Sequence, residues 1–103
     1  MPPEEDAALK TEQYSFNPVK SKRDVSVGVE YFKKGNFKAA ADRFSTATKW
    51  NEANADAWFH LGEAEEKRGN QKGARAAYQK FLELSPNAKN APEVKKRLEK
   101  LKA

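Results

Sequence analysis

Few residues of this 103-residue chain belong to the types that carry out covalent or metal chemistry. The chain has no Cys, and His60 is its single imidazole. Disulfides are excluded, and the residues that usually form thiolate nucleophiles and zinc sites are almost absent. No Ser or Asp is placed by the sequence to orient His60, so we interpret it as a surface histidine. The alternative is a hydrogen-bonding or pH-sensitive contact in a binding groove.

A second candidate for chemistry is a group of acidic residues in the middle of the chain: Asp56, Glu63, Glu65 and Glu66. Paired carboxylates can act as acid and base or bind a cation. Lys67, Arg68 and Lys72 follow closely, so we interpret this stretch as the charged, solvated face of a helix. No glycine-rich loop of the kind that cradles phosphate is present in the sequence. We therefore predict no enzymatic activity, no metal and no cofactor.

Positive charge is concentrated outside the first residues of the chain. Residues 1 to 12 hold four acids and one base, so the other 91 residues carry 19 bases against 11 acids. Together with aromatic residues such as Trp50 and Phe59, this charge could serve nucleic-acid binding. Acidic residues are interleaved with the basic ones except near the carboxyl terminus, so we expect neither nucleic acid nor a membrane as the main partner. A basic surface that contacts nucleic acid or an anionic membrane stays an alternative.

The elements that position these residues follow from a 34-residue repeat. Shifting the chain by this period gives six identities: Gly28/Gly62, Lys33/Lys67, Gly35/Gly69, Asn36/Asn70, Lys38/Lys72 and Ala40/Ala74. A basic residue followed by Gly-Asn is typical of one helix ending and another beginning, because Gly favours the helix end and Asn caps the next helix. Apolar residues recur at helical spacing on both sides of this turn. The repeat therefore predicts stacked pairs of antiparallel helices.

The two ends of the chain differ from the repeat. Residues 90 to 102 have an apolar stripe of Val94, Leu98 and Leu101 with Lys and Arg on the other faces, as expected of a terminal capping helix. At the other end, Ser21 and Asp24 resemble a capping box that begins the first helix. We predict that residues 1–20 are a largely disordered acidic and Pro-containing tail. Its aromatic part, near Tyr14 and Phe16, is a candidate to pack with Val19 on the open side of the first helix.

The order and spacing of these residues resemble the tetratricopeptide repeat. The second unit carries the pattern in Trp58, Leu61, Gly62, Gly69, Ala74, Tyr78 and Pro86. The first unit keeps Gly28, Tyr31, Gly35, Phe37, Ala40, Phe44 and Ala47, but has Asp24 where the second has Trp58. The resemblance covers residues 21 to 88. It implies an all-α, right-handed α-α superhelix with two helix-turn-helix repeats, 21–54 and 55–88, and a capping helix at 89–103.

The same resemblance implies a function, because proteins of this family mostly bind other proteins in a concave groove formed by the first helix of each unit. The positions carried over to this groove are Lys22, Ser26, Val29 and Lys33 in the first unit, Phe59, His60, Glu63 and Lys67 in the second, and Asn90, Glu93 and Arg97 in the last helix. In a chain this short, many of them are also expected to be simply solvated. We predict a non-catalytic module that binds a peptide or helix of a partner protein.

Two further questions stay open at the level of sequence. A short array with an exposed first helix could self-associate, so a homodimer is an alternative to groove binding. Residues 77 to 101 resemble repeat proteins of bacterial cell envelopes, so the compartment is either the cytoplasm or the bacterial periplasm. In the second case the chain would belong to a longer exported or lipid-anchored protein.

Overall fold

A computed structural model describes residues 14–101 of the chain, and all regular secondary structure in this range is helical. The helices are α1 (Pro18–Lys33), α2 (Phe37–Trp50), α3 (Ala55–Arg68), α4 (Gln71–Leu84) and α5 (Ala91–Lys100). Each helix packs against the next one, and α1 also contacts α3. This confirms the predicted all-α fold of helix-turn-helix pairs with a last helix. None of the five helices is both long enough and apolar enough to cross a membrane.

Asparagine side chains cap the amino-terminal ends of four of the helices. The side-chain oxygens of Asn17, Asn36, Asn54 and Asn70 each accept a hydrogen bond from the backbone N–H three residues later, at 3.0, 3.1, 3.3 and 3.0 Å. These bonds satisfy N–H groups that have no partner within the helix. Asn90 stands at the equivalent place before α5 but makes no such bond. Gly35 and Gly69, which follow α1 and α3, have φ of 81° and 83°, a conformation that favours glycine.

The prediction that Ser21 and Asp24 form a capping box at the start of the first helix is wrong. Helix α1 begins at Pro18, capped by Asn17, so its first residues fall within the stretch predicted as a tail. Ser21 is instead fully buried inside α1. Its hydroxyl donates to the backbone oxygen of Ala47 at 2.8 Å and accepts from the Asn54 amide at 2.9 Å. The side chain of Ser21 therefore links α1 to the end of α2 and the start of α3.

Two glycines allow the helices of each pair to approach closely. Gly28 in α1 faces the ring of Phe44 in α2, and a Cβ atom at Gly28 would lie 2.5 Å from that ring. Gly62 in α3 faces the ring of Tyr78 in α4 in the same way. Both rings are fully buried. The repeated Gly thus marks the place where a large aromatic side chain of the second helix contacts the backbone of the first.

The core consists of two clusters, one for each part of the array. The first is formed by Ala40, Ala41, Phe44 and Ala64, with Val25, Val29, Phe32 and others packed against it. The second is formed by Ala74, Tyr78, Phe81, Val94 and Leu101. Since Val94 and Leu101 belong to the last helix and the residue after it, the second cluster is completed only by the carboxyl-terminal part of the chain.

The segment before α1 makes its aromatic contact with the end of α2. The ring of Tyr14 contacts that of Trp50 edge-on, with 4.8 Å between ring centroids. Phe16 and Val19 are 74% and 70% exposed, so these two side chains do not cover α1. Residues 1–13 and 102–103 lie outside the described range, and so does most of the predicted disordered tail.

Candidate protein-binding groove

The first helices of the repeats, α1 and α3, line two neighbouring depressions, one together with the turn before α3 and the other together with α5. The carboxyl-end depression is lined by Phe32, Glu63, Glu66, Lys67, Arg97 and Lys100. The amino-end depression lies between the first halves of α1 and α3 and includes Lys22, Val25, Ser26, Asn54 and Asp56. We call these two depressions together the groove. It combines polar and charged side chains with a few half-buried apolar ones.

The structure brings some of the sequence-predicted site residues together and separates others. Lys22 and Ser26 line the amino-end depression. Glu63, Lys67 and Arg97 line the carboxyl-end depression. Glu93 is next to the latter, because its Oε2 accepts a hydrogen bond from Arg97 Nη2 at 2.9 Å.

The remaining predicted site residues line neither depression. Val29 packs against the first core cluster, and Phe59 packs against the second, with its ring centroid 5.6 Å from that of Phe81. Lys33 is exposed, and Asn90 is half-buried before α5. His60 stacks on Phe44 with 5.2 Å between ring centroids, and its Nδ1 lies 3.3 Å from Glu63 Oε1.

One network of side-chain hydrogen bonds lies at the carboxyl-end depression and connects α3, α4 and α5. The Tyr78 hydroxyl of α4 donates to Glu66 Oε1 of α3 at 2.7 Å. Arg97 Nη1 of α5 donates to the same carboxylate oxygen at 3.1 Å and to the Tyr78 oxygen at 2.9 Å. Because Arg97 also holds Glu93, its guanidinium has little freedom to turn away. The network therefore fixes the position of α5 relative to α3 and gives this part of the groove a defined shape.

The network changes the acidity of two of its members. Burial, and the hydrogen bond donated to Glu66, raise the pKa of Tyr78 well above its ordinary value, although Arg97 opposes the change. Burial acts to lower the pKa of Arg97, but the hydrogen bond with Tyr78 and the nearby carboxylates of Glu66 and Glu93 outweigh it and raise that pKa. Tyr78 is thus a neutral donor, and Arg97 a permanent cation, throughout the physiological pH range.

The raised pKa of Tyr78 predicts a loss of stability in strong alkali. Its contribution to stability is fully present below the pKa of an unfolded tyrosine, about 10, and is lost as the pH rises through the higher folded value. We expect the free energy of unfolding of the native chain to fall above about pH 10 more steeply than that of a Tyr78→Phe variant, which has no phenol to ionise. Urea unfolding at several alkaline pH values measures both slopes. Parallel slopes would show that Tyr78 ionises at its ordinary pKa.

Three residues that line the carboxyl-end depression were not among the predicted site residues: Phe32, Glu66 and Lys100. Helical spacing is a signal that could have found all three, because each lies three residues after a predicted site residue on the same helix: Val29, Glu63 and Arg97. Tyr78 was recognised only as a packing residue. In residues 14–101, no three acidic or His side chains come together as metal ligands would.

The stacked helix pairs define a helical-repeat protein whose first helices line both depressions. The sequence pattern of the tetratricopeptide repeat family matches residues 28–89. This is more than half of the chain, which therefore belongs to the tetratricopeptide repeat family. The resemblance seen in the sequence is thereby confirmed. A search of curated proteins finds no match. Repeats of this family generally mediate protein–protein interactions and are typically non-catalytic.

Proposed function

We propose that this protein binds an extended segment of a partner protein along the groove. The observation that carries the proposal is the pair of neighbouring depressions, both lined by the first helices of the array. A segment that crosses both depressions would meet α1, α3 and α5 in turn. Binding in a preformed groove needs little rearrangement of the protein, which reduces the entropic cost of association.

The charges of the groove indicate the chemistry of the bound segment. In the carboxyl-end depression, Glu63 and Glu66 are already close to Arg97, with N–O distances of 3.9 and 3.1 Å. Lys67 and Lys100 line the same depression and form no ion pair within the described part of the chain. These two lysines are therefore the charges available to a ligand. We infer that the segment presents a carboxylate to them, and an apolar side chain to the half-buried ring of Phe32.

Peptides selected for binding to the full chain test the proposal, whatever the natural partner is. Such peptides would be obtained from a random display library and titrated into isotopically labelled protein. We expect the amide shift changes in NMR spectra to follow α1, α3 and α5. Shift changes confined to α2, α4 or residues before α1 would contradict the proposal.

A matched pair of variants on one helix sharpens this test. Lys100 lines the carboxyl-end depression, whereas Lys95 is an exposed residue of the same helix outside it. Because a carboxylate of the ligand would be repelled, Lys100→Glu should weaken binding of the selected peptides about tenfold. Lys95→Glu carries the same change of charge and should leave the dissociation constant within about twofold. Equal losses in both variants would show that net charge, not the groove, governs binding.

A further inference from the structure

A second surface lies away from the groove, where α1 begins and α2 ends. We call it the amino-terminal patch and define it by Tyr14, Phe16, Val19 and Trp50 with the basic residues Lys20, Arg23 and Lys49. Phe16 and Val19 are among the most exposed apolar side chains in residues 14–101, at 74% and 70%. Phe16 lies two residues before α1 and Val19 is the second residue of that helix, so both exposed side chains stand at its start. Neither side chain lines the two depressions of the groove.

The backbone beneath the patch is held in place. The backbone N–H of Asn17 donates to the backbone oxygen of Trp50 at 2.9 Å, which joins the start of α1 to the end of α2. The rings of Tyr14 and Trp50 also meet edge-on, with 4.8 Å between their centroids. Phe16 and Val19 are therefore exposed on a fixed part of the fold.

Within residues 14–101, the exposed charged side chains that surround Phe16 and Val19 are basic. Lys20 Nζ lies 4.6 Å from the centroid of the Trp50 ring, and Lys49 Nζ lies 5.7 Å from that of Tyr14. Arg23 shares a shallow depression with Lys20 and Trp50. Asp24 also lines it but is 8% exposed and bound to Arg43 at 3.1 Å. Within residues 14–101 no ion pair neutralises Lys20, Arg23 or Lys49, and the first turn of α1 has no acidic residue.

Two kinds of partner fit this combination of exposed apolar and basic side chains poorly. A second copy of the chain would bring the same cations face to face in a symmetric dimer, where like charges repel. Single-stranded nucleic acid binds by stacking bases on free aromatic faces. Here Tyr14 and Trp50 contact each other edge-on and lie beside Lys49 and Lys20, so in this patch Phe16 alone is a largely exposed ring and no row of stacking faces is formed.

We propose that the amino-terminal patch docks on a membrane surface rich in anionic lipid. Projecting apolar side chains enter the boundary between headgroups and acyl chains, which accommodates any side-chain shape, whereas a protein partner would need a matching cavity. Tyr and Trp rings are enriched at the headgroup level because they are apolar with one polar atom. Lysine and arginine beside them are attracted by the lipid phosphates. Such docking would leave the groove free for a partner.

Vesicle binding of the full chain tests this proposal. We expect the chain to sediment with phosphatidylcholine vesicles that contain phosphatidylglycerol, and about a hundredfold less with pure phosphatidylcholine or at high salt, since each of the three basic residues contributes about fivefold in affinity near an anionic surface. The double substitution Phe16→Ser/Val19→Ser should lower the partition coefficient about tenfold. Both side chains are exposed, so circular dichroism should show an unchanged helical fold. A partition coefficient unchanged by this substitution would overturn the proposal.

A charge-matched control separates the patch from the net positive charge of the chain. Lys20→Glu/Lys49→Glu changes the charge of the patch, while Lys95→Glu/Lys96→Glu makes the same change on α5, where both lysines are exposed. Binding should fall about tenfold more in the first variant than in the second. Equal falls would mean nonspecific attraction and would refute docking through this patch.

The environment of Trp50 supplies an independent readout. In a Trp58→Phe variant, Trp50 is the only remaining indole, and its emission should shift to shorter wavelength when phosphatidylglycerol vesicles are added. An unshifted emission would contradict insertion of the patch. Light scattering that shows a dimer abolished by Phe16→Ser/Val19→Ser would also overturn the proposal, because a second copy would then cover these side chains.

Discussion

Replacing Gly62 by Ala should destabilise the protein by about 2 kcal/mol, although Gly to Ala within a helix normally stabilises by about 1 kcal/mol. The reversal of sign follows from packing. A Cβ atom at Gly62 would overlap the ring of Tyr78, and this ring is fully buried and cannot move aside. The helices α3 and α4 would have to separate, or the ring would have to leave its preferred rotamer. Chemical denaturation followed by circular dichroism measures the change in free energy.

A double-mutant cycle isolates the contact that causes this loss. In a Tyr78→Leu background the ring is gone, so adding Gly62→Ala should cost little or should stabilise. Ser26→Ala, at an exposed position of α1, measures the effect of an added helix former where no contact opposes it. A full loss of stability in the Tyr78→Leu background would mean that something other than the ring excludes a side chain at Gly62.

Replacing Val94 by Asp should cost about 4 kcal/mol or more, because it places an unpaired carboxylate in the second core cluster. Val94 is fully buried there against residues such as Tyr78 and Phe81. The thermal midpoint should fall by more than about 15 °C. Hydrogen exchange should show loss of protection in α5 and in the facing part of α4, whereas α1 and α2 should keep theirs because α5 does not pack on them.

The neighbouring residue offers the control for this prediction. Lys95 is exposed on the same helix, so Lys95→Asp introduces the same side chain without burying it. Its effect should stay within about 0.5 kcal/mol. Comparable losses in the two variants would mean that helix propensity, not burial, controls the attachment of α5.

The repeat made most of the fold predictable, because identical residues at a 34-residue spacing mark positions under the same local constraint. Gly35 and Gly69 follow helices in a left-handed conformation, and Asn36 and Asn70 cap the helices after them. The start of α1 was not predictable in this way. Ser21 has the residue type of a cap, but its partners Ala47 and Asn54 are distant in sequence and meet it only in the folded chain.

The candidate groove was predictable helix by helix but not residue by residue. Helical spacing indicates which residues share a face, yet the depth of each side chain depends on neighbouring helices. Phe59 therefore contributes to the core, while Glu66 lines the carboxyl-end depression. The exposure of Phe16 and Val19 was also missed, because apolar type alone predicts burial.

The hydroxyl of Ser21 affects how the helical array unfolds. Repeat arrays with only nearest-neighbour contacts can unzip from an end, one unit after another. Here the donor to Ala47 and the acceptor for Asn54 are the same buried atom, so loss of α1 would leave a carbonyl at the end of α2 and an amide before α3 both without partners. Water would reach both groups once α1 has left, so each lost hydrogen bond costs about 0.5–1.5 kcal/mol. Because one hydroxyl makes both bonds, detachment of α1 breaks its links to α2 and to the start of α3 together.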